Sequence, residues 1–355
     1  MSQDEGGKTN SSEAPELKLE NDDLLEDSFR RLPALPSSLL RASRVQALPP
    51  LLGFFSRDRD LSGSVEFTPV LDPPDQIPAS HFSLQVARGS KVLHCHHGRV
   101  LIYSPEEQHL LVWDPVTGDL RHLALPPALD GGKVVVLDGG VVCTSTDQGH
   151  VHGACHSDPF QVVVVLGDSA RFYGCVYTLE TRGWGNLMSL LREPPGGLIP
   201  SPTCPGSMFR NSICLLLIGR KPVILQFDWA RQNLGTIDVP LDAHDFRAIF
   251  CGRHQVLITR GDSGGLSFIV LAGLSVHVWN RTSHGDGNAT WIPGNTIQLY
   301  NSSPLRSASG GDTVLMVHLE SMKFKKLPQK MPYIFCAPFS SFYNPGTHTM
   351  KLLMG

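Results

Sequence analysis

Two clusters of histidine and cysteine are the residues in this sequence whose types and spacing could bind a metal ion. The first is His94-Cys95-His96-His97, and the second is His150-Val151-His152 followed by Cys155-His156. In a β-strand His94 and His96 would share one face, while Cys95 and His97 would share the other. A tetrahedral zinc site needs four convergent ligands, and no CxxC spacing occurs in the chain. We therefore interpret the first cluster as a strand with surface histidines and the second as a polar loop, and we expect no metal site and no cofactor.

Other candidate chemistry is equally sparse. The phosphate-binding pattern GxxxxGK[ST] and the metalloprotease pattern HExxH are absent. The segment Asp60-Leu61-Ser62-Gly63 has too few oxygen ligands for a calcium loop. Gly261-Asp262-Ser263-Gly264-Gly265 has no helix pattern after it and predicts a hairpin turn. Trp113 and Trp279 could stack a ligand, but both lie among aliphatic residues and are expected in the core. No catalytic constellation emerges, and we expect a protein that is not an enzyme.

Composition indicates which elements must position these residues. The 34 Gly and 27 Pro make up about 17% of the 355 residues, against about 12% in an average protein. Inside a helix each Gly costs about 1 kcal/mol and each Pro about 3 kcal/mol, so a helix bundle is disfavoured. The hydrophobic fraction of 41% supports a sizeable core. Many short strands joined by turns fit this composition.

Charge and cysteine usage limit partners and location. The chain has 30 basic and 33 acidic residues, a net charge of −3, so we expect binding neither to nucleic acid nor to a membrane surface. The polar, acidic start of the chain lacks the basic-then-apolar order of a secretory signal. No apolar run approaches the length of a membrane-spanning helix. The eight scattered cysteines are expected to be reduced, in a cytoplasmic or nuclear protein.

The chain divides into a short head and a long body. Residues 1–20 are polar and predict a disordered tail. Residues 21–45 predict two short helices, the first capped by Asp22 or Asp23 and ended by Pro33, the second capped by Ser37. Their apolar stripe is too small to form a core and needs a partner. The body, 46–346, is followed by a C-terminal tail, 347–355.

The body repeats a strand–turn–strand unit. Its apolar anchors are about 40 to 64 residues apart, close to the spacing of propeller blades: Trp113, Tyr177, Phe227, Trp279 and His318. A sheet with apolar faces cannot bury them alone, whereas radial packing of several sheets buries both faces. We therefore predict an all-β fold, a β-propeller of about six blades. An irregular pair of β-sandwiches would have strands and turns but not this repeated order.

Several motifs in the body and head together resemble a known family. The body motifs are Pro49-Pro50-Leu51-Leu52-Gly53-Phe54-Phe55, His97-Gly98-Arg99-Val100-Leu101, Leu111-Val112-Trp113-Asp114-Pro115-Val116-Thr117-Gly118, Ile224-Leu225-Gln226-Phe227-Asp228, Leu271-Ala272-Gly273-Leu274-Ser275 and Ser340-Ser341-Phe342-Tyr343-Asn344-Pro345-Gly346. The head, from Asn21 to Val45, is similar to the first half of an F-box. In this order and spacing, the chain resembles plant (grass-type) F-box proteins with an F-box-associated β-propeller.

This resemblance implies a substrate receptor of an SCF-type cullin–RING ubiquitin ligase. In such a receptor the F-box helices bind a Skp-type adaptor, which connects to the cullin, and the propeller presents loops to a protein substrate. The positions that would contact the adaptor are Leu24, Leu25, Leu32, Pro33, Leu39, Leu40 and Val45. The identity of the substrate does not follow from the resemblance.

The head departs from the family pattern. After Val45 the chain goes directly to Gln46-Ala47-Leu48-Pro49, where family members usually continue with a third, basic helix. Losing one helix face could cost several kcal/mol of adaptor binding, and each 1.4 kcal/mol is a factor of ten in affinity. We expect weak or absent adaptor binding. The alternatives are a stand-alone propeller that binds proteins, a decayed family member without ligase function, or a propeller enzyme with acidic or histidine side chains converging on the central channel.

Overall fold

The structure is a computed structural model in which 25 β-strands and one short 3-10 turn, Ala79–His81, can be described. The described residues are 51–57, 63–70, 77–127, 134–145, 155, 158–192, 197–201, 204, 206–240, 249, 254–261, 265–273, 275–283, 289–298, 314–318, 323–326, 336–340 and 351–354. The predicted tail, 1–20, and the two predicted head helices, 21–45, lie outside these residues. None of the described helical segments is long and apolar enough to span a membrane.

Five antiparallel sheets of four or five strands are arranged as the blades of a β-propeller, which confirms the predicted fold class. Blade 1 contains β1 (Leu51–Arg57), β2 (Ser64–Pro69), β3 (Ser83–Gln85) and β24 (Cys336–Ser340). Blade 2 contains β4 (Lys91–His96), β5 (Arg99–Ser104), β6 (His109–Trp113) and β7 (Leu120–Ala124). Blade 3 contains β8 (Val135–Cys143), β9 (Phe160–Gly167), β10 (Arg171–Thr178), β11 (Gly183–Trp184) and β12 (Met188–Leu191).

Blades 4 and 5 follow the same order along the chain. Blade 4 contains β13 (Ile199–Pro200), β14 (Ser207–Phe209), β15 (Ser212–Ile218), β16 (Val223–Asp228) and β17 (Asn233–Asp238). The two short strands β13 and β14 pair with opposite ends of β15 and together take the place of one inner strand. Blade 5 contains β18 (His254–Arg260), β19 (Leu266–Ala272), β20 (Ser275–Ser283) and β21 (Ala289–Gln298).

A sixth sheet has three strands, β22 (Val314–His318), β23 (Lys323–Lys326) and β25 (Lys351–Met354). The prediction of about six blades is therefore close to the observed arrangement of five blades. Residues 351–354, which the sequence assigns to a C-terminal tail, form β25 and pair with β22.

The repeat read from the sequence has a definite place in each blade. Trp113, Tyr177, Phe227 and Trp279 all lie on the third strand counted from the inside of their blades. His318 lies on β22, the middle strand of the three-stranded sheet. Trp113 is buried against Phe55, with ring centroids 5.2 Å apart, as expected for a core residue.

The turn after the third strand is also repeated. The residue five positions after the anchor has a positive φ in three blades: 76° at Gly118, 50° at Arg182 and 50° at Gln232. In two blades the turn begins with an aspartate that accepts backbone hydrogen bonds, Asp114 from the N–H groups two and three residues on and Asp228 from the N–H three residues on. The side-chain carboxylate thereby takes the place of a backbone acceptor in the turn.

Apolar clusters lie between successive blades, not within one sheet. On β9, Val162 and Val164 pack with blade 2, whereas Val163 and Val165 pack with blade 4. Both faces of this strand are buried, which explains its unbroken apolar run. The corresponding clusters join blade 1 to blade 2 and blade 4 to blade 5.

Blade 1 joins the two ends of the propeller. Its inner strand, β24, comes from near the end of the chain and pairs antiparallel with β1, with Phe55 opposite Ala337 and Gly53 opposite Phe339. Phe55 and Phe339 are fully buried, with ring centroids 5.2 Å apart. The ring is therefore closed by hydrogen bonds and aromatic contacts between segments almost 300 residues apart in sequence.

Candidate functional site

An open cavity of about 310 Å3 lies where blade 4 meets blade 5. Ile237 and Leu266 supply buried apolar surface to its wall. Its polar side chains come from turns and strand ends of the two blades, and we call it the arginine cavity: Arg210, Ser212, Gln226, Asp228, Arg231 and Arg281.

The cavity is positioned by two tight turns at one end of blade 4. Phe209 pairs with Ser212, so Arg210 occupies a two-residue hairpin turn, where its φ of 48° is in the left-handed region. Arg231 lies in the turn after β16, where its N–H donates to Asp228 Oδ1 at 3.0 Å. Arg281 comes from β20 of the neighbouring blade. Three guanidinium groups from three strand connections thus border one space.

Positive charge exceeds negative charge in the arginine cavity. Arg231 Nη1 lies 3.4 Å from Asp228 Oδ2 and forms an exposed ion pair. Among the described residues, no carboxylate lies within ion-pair distance of Arg210 or Arg281. Burial lowers the pKa of Arg281 and raises the pKa of its neighbour Cys214 to about 12, so that thiol is neutral and does not balance the charge. Three arginines against one aspartate make the cavity suited to an anionic group.

Neutral hydrogen-bonding groups accompany this charge. Gln226 Nε2 donates to Ser212 Oγ at 3.1 Å, which orients both side chains along the wall. Exposed Asn211 adds a further amide at the rim. Arginine guanidinium groups with nearby amide and hydroxyl groups are the donors that bind carboxylate or phosphate oxygens.

The structure places the first histidine cluster at the entry to blade 2. His94 and His96 share one face of β4, as predicted, with ring centroids 6.0 Å apart. Burial lowers the pKa of His94. The prediction of surface histidines is wrong for His97, which lies in the two-residue turn after β4 with a φ of 52° and is buried. Its Nδ1 accepts the N–H of Cys143 at 2.9 Å and thereby ties blade 2 to blade 3.

Part of the second cluster lies beside this contact, whereas His150, His152 and His156 are outside the described residues. The Cys143 thiol, the Cys155 thiol and the Asp158 carboxylate have one donor atom each within 4.8 Å of one another. Buried Arg99 donates from Nη2 to the carbonyl oxygens of Cys155 and Asp158, the second at 3.0 Å. Its guanidinium also lies over the Phe160 ring, 4.8 Å from the centroid. This group was not predicted, because its members come from two turns and a strand end.

One acidic residue lies on an inner strand. Asp138, on β8, is buried, and burial raises its pKa to about 7, while hydrogen bonds from the N–H groups of Gly139 and Gly206 act in the opposite direction. A carboxyl group with this pKa could exchange protons near neutral pH. A propeller enzyme would need further acidic or histidine side chains converging on it, and among the described residues no such cluster includes Asp138.

The segment 261–265 also fits the general pattern Gly-x-Ser-x-Gly. A nucleophile elbow of this pattern requires a strand, a sharp turn and then a helix. Here Arg260 pairs with Leu266, and the Gly261 N–H donates to the Gly265 carbonyl at 2.9 Å, so the segment joins two antiparallel strands. The hairpin prediction is confirmed. Ser263 itself is outside the described residues.

The residues predicted to contact an adaptor lie outside the described part of the chain. These are Leu24, Leu25, Leu32, Pro33, Leu39, Leu40 and Val45. Adaptor binding therefore stays a prediction. None of the arginines of the cavity was predicted either, because they are about 20 to 50 residues apart in the sequence and only the packing of two blades brings them together.

Comparisons with known proteins add no function. No model of a known protein family matches the sequence, and no curated protein matches it. Among solved structures, a chain of Kuenenia stuttgartiensis hydrazine synthase is 9% identical, with a TM-score of 0.35, over 65% of this chain and 60% of that one. A functionally unknown protein from Desulfotomaculum acetoxidans is 12% identical, with a TM-score of 0.35, over 69% and 80%. A luciferin-regenerating enzyme is 9% identical, with a TM-score of 0.33, over 72% and 79%. This chain spans less than two thirds of the hydrazine synthase chain, and at these scores none of the similarities bears on activity.

Proposed function

We propose that the protein is a non-enzymatic recognition propeller that binds an acidic segment of a partner protein at the arginine cavity. As the resemblance of the head implies, the partner would be a substrate presented to an SCF-type ubiquitin ligase. The observation that carries the proposal is the excess of guanidinium over carboxylate groups around an open space of about 310 Å3.

The physical argument rests on charge and on position. Arg210 and Arg281 have no carboxylate partner among the described residues, so a ligand carboxylate or phosphate would not have to displace one. A hydrogen bond between charged groups contributes about 1.5–3 kcal/mol. The cavity also lies on turns held by a rigid scaffold, which is where binding residues are concentrated in such folds. The apolar surface of Ile237 and Leu266 would contact the rest of the segment.

The cavity is tested with paired peptides on the full chain. Fluorescence polarisation would compare a library of acidic peptides with the same peptides carrying Gln for Glu and Asn for Asp, and with singly phosphorylated versions. We expect the acidic or phosphorylated members to bind, and Arg281→Ala to weaken that binding at least tenfold. Arg220→Ala is the matched control, because Arg220 is exposed at the opposite end of blade 4. Equal binding of the neutral peptides, or equal effects of the two variants, would contradict the proposal.

The ligase part of the proposal rests on the head. We expect the natural chain to co-precipitate a plant Skp-type adaptor weakly or not at all, and a variant with the missing third helix inserted after Val45 to bind it strongly. If the insertion has no effect, the chain would be a stand-alone propeller, and the peptide experiment would still test recognition. Adaptor binding by the natural chain as strong as by a complete family member would show that two helices suffice.

A further inference from the structure

A second polar group lies far from the arginine cavity, in the connection between β8 and β9. It consists of Cys143 at the end of β8 and of Cys155 and Asp158 just before β9. Their thiol and carboxylate donor atoms all lie within 4.8 Å of one another. We propose that Cys143, Cys155 and Asp158 bind one Zn²⁺ ion, which fixes the β8–β9 connection against blade 2.

The donor atoms are close to the arrangement that zinc requires. With Zn–S distances of about 2.3 Å and a Zn–O distance of about 2.1 Å, tetrahedral geometry places the donor atoms roughly 3.5–3.8 Å apart. From separations of at most 4.8 Å, each atom needs to move by less than about 1 Å. Two thiolates favour zinc over magnesium or calcium, which prefer oxygen ligands. The fourth position would take water or another side chain.

The backbone that carries the ligands is already held in place. The Asp158 N–H donates to the Cys155 carbonyl at 3.4 Å, which places these two residues in one turn. Arg99 donates to the carbonyl oxygens of both residues, and His97 accepts the N–H of Cys143 at 2.9 Å. Ligands fixed in this way lose little freedom on binding a metal.

Charge favours the metal-bound form as well. The Arg99 guanidinium attracts negative charge on Cys143, Cys155 and Asp158 and so favours their deprotonated forms. Zinc binding releases one proton from each thiol, and the two positive charges of the ion replace the two protons. The net charge of the buried group is therefore the same before and after binding.

Cobalt substitution tests the site in the full chain, because Co²⁺ gives near-ultraviolet thiolate charge-transfer bands and visible bands typical of tetrahedral geometry. After removal of metals with EDTA under reducing conditions, we expect one equivalent of Co²⁺ to produce these bands and Zn²⁺ to displace it. Cys143→Ser and Cys155→Ser should each lower the charge-transfer band by about half, and the double variant should lose it. Asp158→Asn should keep the band but weaken Co²⁺ binding at least tenfold. Cys175→Ser, a buried thiol in the same blade, is the control and should change nothing.

A second measurement does not depend on the folding of variants. In the natural chain, saturating Zn²⁺ should protect Cys143 and Cys155 from iodoacetamide, located by mass mapping, at least tenfold more than it protects the other cysteines. The proposal is overturned if Co²⁺ gives no charge-transfer band, if the band persists in the double variant, or if Zn²⁺ protects neither thiol. A Cys143–Cys155 disulfide in protein purified under reducing conditions would also overturn it.

Discussion

The closure of the ring by β24 leads to a specific prediction for Phe339→Ala. Phe339 is fully buried, and its ring centroid lies 5.2 Å from that of Phe55, 5.5 Å from that of Phe82 and 6.3 Å from that of Phe67. Burial of a phenylalanine removes about 150–250 Å2 from water, worth about 4–6 kcal/mol as an upper estimate. Measured costs of Phe→Ala in protein cores are about 3–5 kcal/mol. We expect a loss of this size, which is a large share of the 5–15 kcal/mol typical of a folded domain.

Urea unfolding of the full chain, followed by tryptophan fluorescence and far-ultraviolet circular dichroism, measures this loss. Ile292→Ala in blade 5 is the control, because Ile292 is 47% exposed and its truncation should cost less than about 1 kcal/mol. Phe55→Ala and the double variant complete a mutant cycle, in which the two rings should be coupled by about 0.5–1.5 kcal/mol. A loss for Phe339→Ala no larger than that of the control would refute the closure of blade 1 by the C-terminal strand.

Three further predictions concern the blades. Gly53→Ala should cost at least 2 kcal/mol in urea unfolding, roughly the scale of overpacked cores, because its Cβ would lie 2.3 Å from a carbonyl oxygen of β2; Gly235→Ala, with no atom within 4 Å of its Cβ, should be neutral or stabilising by up to about 1 kcal/mol. Asp138 retains its proton up to about pH 7 in the folded chain but only to about pH 4 when unfolded, so stability should fall by up to about 4 kcal/mol between these pH values, and Asp138→Asn should remove most of that slope in urea unfolding measured at each pH. Burial raises the pKa of both Cys204 and Cys214 to about 12, so iodoacetamide at pH 8 should label them only after denaturation, and rapid labelling of the folded chain would contradict their burial.

The fold could be predicted from sequence because its strongest signals are local. Trp113, Tyr177 and Phe227 mark the third strand of three blades, and each is followed by the same turn. Strand, anchor and turn recur with a regular spacing, so the repeat can be read without knowing any long-range contact. The exchange of strands between the chain ends was not predicted, since nothing local about residues 336–340 shows that they pair with β1.

The two polar sites could not be predicted for the opposite reason. Arg210 and Arg281 are about 70 residues apart and meet only because blades 4 and 5 pack side by side. Cys143 and Cys155 have no spacing typical of a zinc motif, and a long connection brings them together. The histidine run looked more like a metal site than either of them. It failed as one because alternation along β4 separates its side chains and because His97 has already left the strand.

Closure by a late strand also has a consequence for how the protein is made. A ribosome adds about 5–20 residues per second, so β24 leaves it about 15–60 s after β1. During that interval the first blade lacks its inner strand, and the face that carries Phe55 and Phe67 has no Phe339 to cover it. Over most of its synthesis the nascent chain therefore exposes an aromatic surface and an unpaired strand edge, both of which favour aggregation. A chaperone that binds apolar segments would have its longest opportunity at the N-terminal blade.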